Sequence, residues 1–290
     1  MRYFWSSLLL FLGSLPLANC QYHEVGVALG VSNYLGDLVP PRTYFLGTNL
    51  AAGLQYQYNI HPHFAARVGI TLGKISGDDK NSDYDSGRRQ RNLSFESPLL
   101  EFGWMGQVYI LPFHPNQEHH PVSPYVFAGV AFFHFNPHTT YKSERVYLQP
   151  LGTEGQGIDG FEGKYNLWGW SLPFGGGVKF NINRHFNIAV EVGCRKTFTD
   201  YLDDVSGDYV ELSVLRQGNG ALAAELSNRT YNDDGAQIER VGQPRGLAGK
   251  DWYIISQVSL SYTLQGRHYF KPKRKKSNAA PKKKHTGRWM

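Results

Sequence analysis

The stretch WGWSLPFGGGVKF–NINRH–FNIAVEVGCR, residues 168–195, decides the fold. In its first half Trp168, Trp170, Leu172, Phe174, Val178 and Phe180 fall on one side, and Gly169, Ser171, Gly175, Gly177 and Lys179 on the other. Its second half sets Phe186, Ile188, Val190 and Val192 against Asn187, Ala189, Glu191, Gly193 and Arg195. A period of two held this long is that of a β-strand, and about ten residues is the length a tilted strand needs to cross a bilayer. Asn181 to His185 is then a tight turn between two antiparallel strands.

The large apolar face is continuous and the opposite face is small or charged. A soluble sandwich shows the reverse economy, with its bulky apolar face inward and its charges free in water. Lys179, Glu191 and Arg195, with Arg67 on a similar segment, sit among Gly and Ala. A narrow lumen gives them room to pair as a charge network.

Working outward, the same pattern predicts eight antiparallel strands: 24–32, 48–58, 64–75, 93–111, 125–135, 168–180, 186–198 and 252–264. The fourth changes phase around Ser97-Pro98-Leu99, where a bulge is expected because Pro removes a ladder donor. The fifth carries aromatics on both faces, so its sides are not assigned. Connections 59–63, 112–124 and 181–185 are short, while 33–47, 76–92, 136–167 and 199–251 are long. This is the signature of an eight-stranded antiparallel transmembrane β-barrel with short periplasmic turns and long extracellular loops, which puts both termini in the periplasm. Tyr22, Tyr56, Tyr58, Phe64, Tyr109, Phe113, Tyr125, Phe186 and Tyr262 gather near the turn ends and Trp104, Trp168, Trp170 and Trp252 higher up, as girdles would.

Composition agrees. The 290 residues include 18 Tyr, 17 Phe, 6 Trp and 32 Gly, a bias toward strand formers and small residues. A mean hydropathy of −0.41 excludes a helical membrane protein but not a barrel, whose strands alternate lipid-facing with polar positions. Met1 to Cys20 has one basic residue, Arg2, then an apolar stretch and Ala18-Asn19-Cys20, and reads as a secretory signal peptide. Leu17 to Cys20 also resembles a lipoprotein box, although Asn before the Cys departs from it, so both removal and lipidation of Cys20 stay open. After removal Cys194 is the sole cysteine and no internal disulfide forms.

The formal charge of +6 is unevenly spread. From Gln265 to Met290 there are ten Lys or Arg and no Asp or Glu, which leaves twenty basic against 24 acidic residues and a net charge of −4 for the rest. Residues 265–290 thus read as a basic, disordered periplasmic tail following a barrel of residues 21–264. Its Arg267, Lys271, Lys273, Arg274, Lys275, Lys276, Lys282, Lys283 and Lys284 are candidate partner-binding residues. Outside the cytoplasm no nucleic-acid partner is expected.

Asp200, Asp203 and Asp204 open the largest loop. Three carboxylates so close could hold Ca²⁺, but the spacing fits no EF-hand, and capping the strand and loop backbone is the reading adopted. Asp78, Asp79, Asp83 and Asp85 lie among Lys80, Arg88, Arg89 and Arg91, and His61, His63, His114, His119 and His120 lie in turns without the rest of a zinc site. No metal, cofactor or small-molecule substrate is expected. His134, Ser171 and Glu191 are the nearest approach to a hydrolytic set, yet no local motif ties them together, and no catalytic residues are assigned.

Four segments carry a family resemblance: 33–38 (NYLGDL), 148–157 (LQPLGTEGQG), 171–179 (SLPFGGGVK) and 195–206 (RKTFTDYLDDVS). In order and spacing they resemble the PorG family, small outer-membrane barrels of the type IX secretion system. That resemblance, running from about residue 21 to 264, implies a non-enzymatic subunit seated in outer-membrane lipid and associated with a periplasmic ring of the lipoprotein PorK and its partner PorN. Cys194, where an aromatic is expected, and the basic tail are departures from that pattern. The rival expectation is a free-standing barrel acting as an adhesin or receptor through its long loops.

Overall fold

The computed structural model describes residues 22–39, 47–82, 88–113, 122–246 and 249–264. The signal segment, the basic tail, Asp83, Asp85, His114, His119 and His120 lie outside them. Eight long strands form the wall: β1 (Tyr22–Leu35), β2 (Asn49–His61), β3 (Phe64–Asp78), β4 (Ser94–Tyr109), β5 (Val122–Phe135), then, beyond a short hairpin of β6 (His138–Tyr141) and β7 (Glu144–Tyr147), β8 (Trp168–Asn181), β9 (Phe186–Thr197) and β10 (Trp252–Leu264). Each wall strand pairs antiparallel with its neighbours, β3 pairs β4, and β10 pairs β1, so the sheet closes on itself and leaves the wall no free edge.

Alternation along each strand fixes what faces where. On β1, Val25, Val27 and Leu29 are exposed while Glu24 and Ala28 are buried. On β3, Val68, Ile70 and Leu72 point out and Ala65 and Arg67 point in. The result is a wide apolar outer band around a polar interior, an arrangement that is stable only against hydrocarbon. No described helix is long and apolar enough to cross a membrane.

Two expectations are corrected. There is no bulge at Pro98: β4 pairs β3 residue for residue from Ser94↔Asp78 to Val108↔Phe64, and Pro98 points outward opposite Lys74. The apparent phase change has a physical cause. Toward the loop end Phe95 and Leu99 face inward into an apolar core, whereas Glu96 and Pro98 face out above the lipid band, so polarity inverts while parity does not. The register shift is instead at Asn59/His61, at the turn end of β2. The second correction concerns the girdle. Tyr22, Tyr109, Phe113 and Tyr125 are buried inside the barrel and pack together, and only Tyr56, Tyr58, Phe64, Phe186 and Tyr262 form an outer row at the turn end. At the other end Phe132 stacks on Trp168 and meets Trp170 at a tilt, and the Lys196 ammonium sits 5.7 Å from the Trp252 ring centre. The sides of β5 are also settled: Tyr125, Phe127, Phe133 and Phe135 face in, Val126, Val130 and Phe132 out.

Close strand approach explains one glycine. A Cβ on Gly30 would lie 2.1 Å from the Ser256 carbonyl oxygen, so any side chain there would push the β1–β10 seam apart.

Candidate functional site

Three carboxylates stacked along the lumen organise its interior. Nearest the turns, Glu24 takes both Lys179 Nζ bonds at 2.7 Å, and accepts from Asn59 at 3.0 Å, Asn187 at 3.3 Å and Ser261 at 2.6 Å. At mid-height the Arg67 guanidinium grips Glu191 with two bonds of 2.6 and 3.0 Å, while Tyr125 and Gln257 also donate to it. Toward the loops, Arg195 Nε and the Tyr253 hydroxyl reach Glu101 at 3.2 and 2.7 Å. All six charges are at least 94% buried. Paired and hydrogen-bonded, they escape most of the desolvation cost of a lone buried ion.

Arg67, Lys179, Glu191 and Arg195, singled out in the sequence, are thus all in the lumen, but they do not form one network among themselves. Two of their partners, Glu24 and Glu101, were missed as network members. Glu24 falls on the small-residue face of β1 with Gly26, Ala28 and Gly30, but its partner Lys179 is 155 positions away, and Glu101 lies on β4, whose phase the sequence obscured. Between Arg67, Glu101 and Arg195 the remaining gap is about 20 Å³, room for about one water molecule. The interior is a plug.

The long loops fold over this plug as a cap. Its apolar part packs Tyr34, Leu38, Ile75, Phe95, Phe133, Phe135, Leu202 and Val205 over the barrel mouth. Short helices α1 (Arg88–Arg91), α2 (Leu212–Gly218) and α3 (Ala221–Ser227) lie in the loops around it. Two buried arginines tie the loops to one another. Arg91 binds Asp79 at 2.7 and 2.8 Å and the carbonyls of Asp37 and Arg245. Arg245 binds Glu154 at 2.9 Å and the carbonyls of Asp204 and Ser227.

The acidic run takes its place here. Asp204, at φ +67°, accepts from the Thr153 and Tyr165 hydroxyls, and burial pushes its carboxyl up to about 6 despite nearby Arg245. Asp203 and Asp251 flank the Tyr34 hydroxyl at 2.7 and 2.6 Å, and that same oxygen accepts the Asp37 N–H at 3.1 Å. One hydroxyl has a single proton to give, so one of the two carboxyls must itself carry a proton and donate back. Burial accordingly pushes Asp251 up to about 8, and burial with the charges of Asp251 and Asp37 raises Asp203 well above the usual carboxylate range. Asp200 stands apart, accepting from the Ser206 hydroxyl.

Other candidates do not converge. His134 is on the outer face against Trp168, whereas Ser171 and Glu191 point inward, so no hydrolytic set assembles. His61 and His63 stack in the β2–β3 turn, with His63 Nδ1 2.8 Å from the Tyr109 carbonyl. Asp78 caps Lys80 N–H and Asp79 pairs Arg91. Cys194, half-exposed on the outer face, is the free cysteine among the described residues.

Three of the segments of family resemblance meet in the cap, Tyr34 of the first with Asp203 of the last and Thr153 and Glu154 of the second with Asp204 and Ser206, while the third pairs with the last in the wall, Ser171 opposite Thr197 and Pro173 opposite Arg195. No curated protein matches the chain. Among solved structures it is similar to Neisserial surface protein A (8% identity, covering 83% of this chain and 97% of that one, TM-score 0.42). It is also similar to the attachment invasion locus protein Ail of Yersinia pestis (8% identity, covering 84% and 99%, TM-score 0.38), and to OprG of Pseudomonas aeruginosa (11%, 85% and 98%, TM-score 0.37). A family model described as a domain of unknown function, DUF6089, matches residues 2–225, and this closed, plugged and capped barrel belongs to that family.

Proposed function

We propose that the chain is a non-enzymatic outer-membrane subunit of the type IX protein secretion system, associated with the periplasmic PorK/PorN ring and supporting its anchoring or assembly. The observation that carries this reading is that the four segments resembling the PorG family, scattered over some 170 residues, are one another's hydrogen-bond partners in the cap and neighbours in the wall beneath it. A likeness spread over segments that build one structural unit is a likeness of the whole unit.

Two further features support it. A lumen plugged by three buried ion pairs leaves no open channel, which suits a structural role. Charge is also polarised along the barrel axis. Acidic residues cluster in the loops, while the turns 59–63 and 181–185 carry no acid, the turn 112–124 carries one, Glu118, and the sequence that follows β10 at this end adds ten cations. With long loops outward, as in other barrels of this kind, the basic end faces the periplasm and would steer an acidic partner.

The experiment is purification of the tagged full-length barrel from detergent-solubilised outer membrane, paired with a deletion strain. Co-recovery of the ring proteins and loss of cargo secretion are expected. Recovery of the barrel alone with secretion intact overturns the reading and favours the adhesin or receptor alternative.

A further inference from the structure

The outer wall holds a polar cleft of about 460 Å³ at the loop end, between the tips of β3 and β4, strand β6 and the segment after α3. Its position is defined by the strands below it. Leu50 and Leu72 are 83% and 60% exposed on the lipid face. Ser76, in the cleft floor, is four residues beyond Leu72, about 13 Å along the strand. That carries the cleft past the hydrocarbon to headgroup depth and leaves it opening sideways above an apolar wall.

The chemistry of the lining is lopsided. Hydroxyls of Ser76, Ser94 and Thr140 face it. Of its two carboxylates, Glu96 is ion-paired with Lys74 at 3.1 Å, while Asp78 accepts the Lys80 N–H at 2.9 Å and keeps its charge. The two cations of the lining are less engaged. Arg229 is half-buried, yet its guanidinium makes no hydrogen bond or ion pair with a described residue, and neither does the Lys80 ammonium. Every fully buried arginine described, namely Arg67, Arg91, Arg195 and Arg245, has a carboxylate partner. A guanidinium drawn partly out of water without a counter-charge is stabilised only when an anion arrives.

We propose that this cleft binds the phosphorylated saccharide headgroup of an outer-leaflet glycolipid, with Arg229 and Lys80 on a phosphate, the hydroxyls on the sugar, and the acyl chains along Leu50 and Leu72. A volume of this size suits a sugar-sized ligand. The inference rests on the outward orientation of the loops proposed above, and on no property of a periplasmic partner.

The test is native mass spectrometry of the full-length barrel in detergent with diphosphoryl lipid A, with phosphatidylglycerol as the comparison. Wild type is expected to bind lipid A in preference. The double variant Lys80→Gln/Arg229→Gln should weaken that binding by about tenfold or more, from the loss of charge-assisted bonds. Thr140→Trp, which fills the cleft without changing charge, should weaken it similarly, and Arg216→Gln on α2 should leave it unchanged. Folding of each variant is checked by the heat-dependent gel shift of the barrel. Equal affinity of wild type and both cleft variants overturns the proposal, as does equal affinity for lipid A and phosphatidylglycerol. Neither result touches co-purification with the ring, so the two proposals fail separately.

Discussion

Replacing Glu24 by Gln tests whether the lumen is a structural plug. Glu24 is 1% exposed and receives bonds from Lys179, Asn59, Asn187 and Ser261, which link β1, β2, β8, β9 and β10. Gln keeps the shape but removes the charge. The Lys179 ammonium, 3% exposed, then has no counter-charge and keeps one amide oxygen as acceptor, the Tyr109 hydroxyl at 3.4 Å and the faces of Tyr109 and Phe113. Breaking a buried pair on one side costs about 3–5 kcal/mol, or roughly two to four decades in the folding equilibrium. The assay is urea unfolding of the barrel in phosphatidylcholine vesicles, followed by tryptophan fluorescence and by the heat-dependent gel shift. The double change Glu24→Gln/Lys179→Met removes both charges and should regain most of the loss, because replacing a buried pair with apolar groups is near neutral. A single-variant cost below about 1 kcal/mol, or a double variant no better than the single one, would refute the reasoning.

Three other outcomes follow from the cap and the wall. Asp251 has a folded-state value of about 8 against an ordinary 3.8, so its contribution to stability is complete at acid pH and is lost as pH rises through about 8. Asp251→Asn, whose amide can donate to Tyr34 while its oxygen keeps the Leu202 N–H, should flatten the loss of cap stability between about pH 4 and pH 8 read by hydrogen exchange; an unchanged slope contradicts the shared proton. Arg245→Ala strips Glu154 and Asp204 of their buried cation and should make the loop 198–251 cleavable by proteinase K while the wall stays resistant; continued loop resistance means the knot is dispensable. Gly30→Ala places a methyl 2.1 Å from the Ser256 oxygen and should lower the yield of folded barrel in vesicles, whereas Ala28→Gly nearby should not; equal yields would show that the β1–β10 seam tolerates side chains there.

The wall was legible because a barrel writes its two faces into every strand at period two. Residues 168–195 alone carried length, face chemistry and a tight turn, and strands 64–75 and 186–198 fall within a few residues of β3 and β9. The sequence misled where the environment changes along a strand. β4 passes from lipid to cap, so Phe95 and Leu99 turn inward as apolar residues and a true alternation looks like a slip. Tyrosine misled for a related reason: its ring suits the girdle and its hydroxyl suits the lumen, and only the fold shows that Tyr109 and Tyr125 serve Lys179 and Glu191. The ion pairs joined strands more than ninety positions apart, as in Arg195 with Glu101, and no local pattern encodes such partners. In the cap, Asp203 and Asp204 stood out as a short acidic run and Tyr34 lay in a resemblance segment, whereas Asp251 and Arg245 had no motif to mark them.

The central claim, that this barrel is held outward by its cap and works through its turn end, is tested most directly by site-specific photocrosslinking in intact cells. A photoreactive residue replaces exposed Ile60 or Ile182 in the turns, or exposed Ile238 or Val241 in the loops. Crosslinks to periplasmic ring proteins are expected from Ile60 and Ile182 and none from Ile238 or Val241. Ring crosslinks from the loop positions alone, or from none of the four, would contradict that claim.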